Sequence, residues 1–129
     1  DPHMTRQLQP VIYPQLDLND QVYDVMEWIE LHVDEEKTRT SARNQFAIWI
    51  AIHTRQQTEA IAMVRRARSE LGFDPWSRGC GHPSSSAATL LVNRLLQGSA
   101  EIVELNRSTV SSIRQLLTPE QKLLYGERQ

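Results

Sequence analysis

The sequence predicts an all-α fold: a small helical bundle built on a long antiparallel helical hairpin with two shorter helices. Three observations carry this. Leu18, Val22, Val25, Met26, Ile29 and Val33 recur three and four apart, which is one face of a helix. Phe46, Ile50, His53, Gln57, Ala60, Val64, Ala67 and Leu71 alternate four and three apart, in the manner of a heptad. Leu95/Leu96, Ile102/Val103, Thr109/Val110 and Leu116/Leu117 repeat every seven residues, and no segment gives a clear strand signal. A chain of 129 residues matches one ordinary domain.

In chain order, Asp1–Met4 read as an expression scar, followed by an extended arm to residue 16 that holds Pro10 and Pro14. A single helical domain is expected over 17–129. Asp17 or Asn19 can cap the first helix, whose acidic early turns suit the positive end of its dipole. The second helix is expected to start at Thr38–Ser41 and run to Leu71, with Gly72 ending it. Its first half, which also carries Ile48, Trp49 and Ile52, is apolar nearly all round. Such a helix is central, or buried in an oligomer. Pro75, Gly79, Gly81 and Pro83 mark a loop over 73–86. The third helix is expected from Ser84–Ser86 to Leu117, about 45 Å at 1.5 Å per residue. Thr118-Pro119-Glu120-Gln121 then starts a short fourth helix, with Thr as cap, Pro at the first position and Gln completing a capping box.

Net charge is −2, too near zero to imply a nucleic-acid or membrane partner from the total. The distribution is uneven: residues 17–36 carry acidic residues and no Lys or Arg, and residues 37–78 are Arg-rich. Apolar runs are too short for a membrane span, so no membrane insertion is expected. Cys80 is the lone cysteine, which excludes an internal disulfide and fits a cytoplasmic or other reducing compartment.

Catalytic chemistry finds little footing. Cys80 and His82 form half a metal site at most, since zinc takes four ligands or three plus water. As a nucleophile Cys80 would need a base and an orienting group. Both read as a loop thiol beside a loop imidazole, and His53 as a residue of the apolar seam. Asp20, Asp24 and Glu27 lie at helical spacing on a polar face. No enzyme activity, cofactor or metal is expected. Arg55, Arg65, Arg66 and Arg68 on the second helix, with Arg78 in the loop, are the candidate phosphate contacts; Trp76 could stack on a base.

Short stretches carry resemblances. Tyr13-Pro14-Gln15-Leu16 resembles the Tyr-Pro-x-Leu peptide with which some viral structural proteins recruit host budding machinery. Residues 112–121, with Leu117-Thr118-Pro119-Glu120-Gln121, are similar to the end of the periplasmic helical chaperones of the Spy/CpxP type, which implies such a chaperone as one function. Residues 65–78, with Glu70-Leu71-Gly72-Phe73-Asp74-Pro75, are similar to the close of phage small terminase subunits. That resemblance implies a ring-forming, DNA-packaging, helical protein.

The leading expectation is a non-enzymatic interaction or assembly protein, a homo-oligomer that self-associates through apolar helix faces. Phe46, Trp49, Ile50, Leu95, Ile102 and Val110 are the expected interface, with Leu96, Val103 and Ile113 in the same seam. A further protein partner is expected. The alternative is a nucleic-acid-binding module of phage or viral origin, using the Arg face.

Overall fold

The computed structural model describes residues 13–75 and 85–127, with side chains from residue 19 onward. The described residues are all-α. Helix α1 is Tyr13–His32, α2 is Glu36–Arg66, α3 is Ser86–Arg114 and α4 is Pro119–Glu127; α2 is prolonged by a π-helical turn, Ala67–Leu71. Tyr23 meets Trp49 and Glu30 pairs with Arg43, so α1 and α2 run antiparallel. Trp49 meets Asn106 and Glu59 approaches Arg94, so α2 and α3 also run antiparallel. The expected hairpin is α2–α3, and α1 lies along it parallel to α3.

The core has two apolar ends. At one, Val25, Met26, Trp28, Ile29 and Val33 of α1 pack with Ala42, Ile113, Leu117 and Tyr125. At the other, Val64 and Ala67 pack with Leu91 and Leu95, flanked by Ala60, Met63, Leu71 and Phe73. Each fully buried aliphatic side chain contributes roughly 1.5–3 kcal/mol.

Several boundaries move. The arm expected to 16 ends sooner, because α1 begins at Tyr13 with Pro14 in its first turn, where the missing N–H costs nothing. Asn19 therefore lies inside the helix and caps nothing; its side chain reaches Asn106 instead. Helix α2 starts at Glu36, two residues before the expected range, with Glu35 in an extended conformation ahead of it. Arg39 donates to the Val33 carbonyl at 3.1 Å and so satisfies an end group of α1. Gly72 ends the second helix as expected: its φ of 71° is left-handed, and the Ala67 carbonyl accepts from the Gly72 and Phe73 amides. Ser85 caps α3 by accepting from the Ala88 amide at 3.1 Å. Helix α3 stops at Arg114, not Leu117, because the Leu116 and Leu117 amides bond back only three residues, to the Ile113 and Arg114 carbonyls.

The capping box forms as the sequence predicts. Gln121 N–H donates to Thr118 Oγ1 at 3.1 Å, and Thr118 N–H to Gln121 Oε1 at 2.9 Å. Thr118→Ala is expected to lower the unfolding free energy by about 1 kcal/mol, measured as a shift in urea midpoint at constant slope. Helix α4 is held at its far end by Tyr125, which donates to Asp24 Oδ2 at 3.1 Å and lies edge-on to Trp28.

Candidate functional site

Three of the six residues expected to form an interchain interface lie in the core of one chain. Trp49, Leu95 and Ile102 are at most 3 % exposed, because α1 and the hairpin close over them. Ile113, in the same expected seam, is fully buried. Phe46 and Val110 are half-buried, and Ile50 retains 41 % of its surface. Of the expected seam of this helix, His53, Val64 and Ala67 are buried as read; Ala42 and Trp49 join them, and Ile50 sits on the flank.

The buried line defines an outward face. At 100° per residue, positions 40, 44, 47, 51, 55, 58 and 62 lie roughly opposite it. They are Thr40, Asn44, Ala47, Ala51, Arg55, Thr58 and Ala62, all exposed. Beside them Ile48 is 61 % exposed and Ile61 37 %. From Asn44 to Thr58 the only charged residue is Arg55. The solvent side of a surface helix ordinarily carries several charges; from Asn44 to Thr58 this one carries small and uncharged polar side chains with Arg55 as its one cation.

The arginines do not form one open basic face. Arg66 pairs with Glu70 at 3.2 Å and Arg68 with Asp74 at 3.1 Å. Arg43 makes a bidentate pair with Glu30 of α1, Nε–Oε1 2.6 Å and Nη2–Oε2 2.8 Å. The hydrogen bonds from Arg43 and Arg39 hold the carboxyls of Glu30 and Glu36 respectively below the usual range. Arg55 and Arg65 are exposed, and no salt bridge joins either to a carboxylate among the described residues. The acidic first helix thus engages Arg43, and local carboxylates engage Arg66 and Arg68. Trp76, Arg78, Cys80 and His82 lie outside the described residues, as do the side chains of Tyr13 to Leu16.

Between the two apolar ends sits a polar junction that the periodicity does not mark. Trp49 Nε1–H donates to Asn106 Oδ1 at 2.7 Å, and the Asn106 amide donates to Asn19 Oδ1 at 2.9 Å. One hydrogen-bond chain therefore links all three long helices. The His53 ring lies 4.7 Å from Trp49, and its Nε2 is buried without a partner among the described residues. Burial pushes the His53 imidazole below its ordinary value of 6.5. The folded state holds this ring neutral, while the unfolded chain takes up a proton near pH 6.5. Stability from this group is full above 6.5 and is lost as pH falls below it. Melting temperature is therefore expected to fall between pH 6.5 and 5, and His53→Phe to flatten that slope. Glu30 and Glu36 act lower, below 4.5.

Among the described residues no three His, Cys, Asp or Glu side chains are placed to hold a metal, and no helix is long and apolar enough to cross a membrane. No family model matches this chain, nor does any curated protein or solved structure.

Proposed function

We propose that this chain is a non-enzymatic assembly protein that self-associates through the outward face of α2. The observation that carries the reading is the exposed patch Ala47, Ile48 and Ala51, in a stretch from Asn44 to Thr58 whose one charged residue is Arg55. Small side chains there allow a second helix to approach at the 8–10 Å typical of packed pairs, and the isoleucines supply apolar area to bury. A face with a single cation over four turns, on an otherwise charged surface, fits an interaction site better than a solvated helix.

The reading is tested by sedimentation velocity on the full chain and on Ala51→Glu. A long charged side chain at the centre of the face keeps a second helix from close approach and must be desolvated in any complex, even with Arg55 four residues on, and is expected to weaken association by about a hundredfold or more. Ala51 is exposed, so the helical circular dichroism is expected to stay unchanged. Leu90→Glu, at a residue 70 % exposed on another helix, is the control and should leave association intact. Equal association of wild type and Ala51→Glu contradicts the assignment of the face.

A further inference from the structure

A separate surface points to a ligand. Gln21 of α1, Arg107, Ser111 and Arg114 of α3, and Lys122 of α4 line one depression, together with Val110 and Gln115. Three elements thus converge on two guanidiniums, one ammonium, two carboxamides and a hydroxyl, and no carboxylate lines it. In a chain of net charge −2, a concave surface lined by three cations and no anion is a local reversal of sign.

The cations sit on fixed supports. Arg107 and Arg114 are two turns apart on one side of α3, about 10 Å along the axis. The Arg114 guanidinium lies 5.3 Å over the ring of Tyr125, which its own bond to Asp24 holds in place. Lys122 stands in the first turn of α4, positioned by the Thr118–Gln121 capping box and by its own amide bond to the Thr118 carbonyl at 2.9 Å. Arg107 meets Glu104 at 3.6 Å, but both side chains are about 70 % exposed, so that pair is weak.

The geometry points to an oxyanion site for phosphate groups. Guanidiniums present paired donors that match phosphate oxygens, and carboxamide and hydroxyl donors complete the coordination without adding charge. The spacing of Arg107 and Arg114 spans two linked phosphates, as in a pyrophosphate or in successive phosphodiesters of a nucleic-acid backbone. These cations are distinct from the second-helix arginines, of which Arg66 and Arg68 are paired with carboxylates. The inference stands apart from self-association through α2.

The test titrates the full chain with inorganic pyrophosphate and with labelled duplex and single-stranded oligonucleotides, at low and moderate salt. Arginine Nε–Hε resonances report the site. Expected are perturbed Arg107 and Arg114 signals, and loss of at least about tenfold in affinity in Arg107→Glu/Lys122→Glu, with unchanged circular dichroism. Binding of oligonucleotide far above pyrophosphate, with a salt slope that falls by about two units in the variant, identifies a nucleic-acid backbone as the source. Binding of pyrophosphate at least as tight identifies a free phosphate-bearing ligand. The inference is overturned if no probe binds at low salt, or if binding survives Arg107→Glu/Lys122→Glu and is lost instead in Arg55→Glu/Arg65→Glu.

Discussion

Trp49→Ala is expected to lower the unfolding free energy by about 4 kcal/mol, the largest effect of any single truncation in the bundle. The indole is 2 % exposed and touches Tyr23, Phe46 and His53 with ring centroids 4.7–5.6 Å apart. Truncation opens a cavity at the point where α1 crosses the hairpin, and it removes the donor that satisfies Asn106. A domain of this size has about 5–15 kcal/mol in all, so the variant is expected to lose a large share of its stability. Urea denaturation followed by circular dichroism checks it. A loss below about 1 kcal/mol would mean that Trp49 is not enclosed as described.

Asn106→Ala is expected to cost about 2–3 kcal/mol, measured in the same way. Asn106 is fully buried and joins Trp49 to Asn19, so its removal leaves the buried indole N–H without that acceptor. The cost arises from that stranded donor more than from lost contacts. Trp49→Phe in the Asn106→Ala background removes the donor as well. It should therefore cost less than Trp49→Phe alone. Strictly additive losses would show that the two side chains do not act as a pair.

Much of the bundle was readable from local rules. Thr118-Pro119-Glu120-Gln121 and Gly72 mark helix ends because capping and left-handed geometry are set by a few neighbouring residues. The seam of the second helix was harder. Phe46 to Ile52 is apolar on every side, so periodicity alone cannot say whether Trp49 or Ile50 faces the core. Tertiary packing against α1 decides for Trp49. The useful signal was on the opposite side: an outward stripe at 47, 51, 55, 58 and 62 that is small and uncharged except for Arg55. Asn19 reads as a cap in the sequence, and its pairing with Asn106 escapes notice because the two are 87 positions apart, and two asparagines on separate helices carry no local mark of pairing. Lys122 joins Arg107 and Arg114 only once α4 folds back, which the capping box announces but does not aim.

These features fit a division of labour within one chain. The inward side of α2 builds the polar junction and the two apolar ends of the core. Its outward side carries few charges, Arg55 among them. The proposed self-association uses that face, and the depression proposed to take phosphate is lined by α1, α3 and α4 and not by α2.

The most direct test is the molar mass of the unmodified chain by light scattering across a micromolar concentration series. The account predicts a mass above the 14.9 kDa of one chain, rising with concentration toward at least twice that value. A constant 14.9 kDa throughout the series would contradict it.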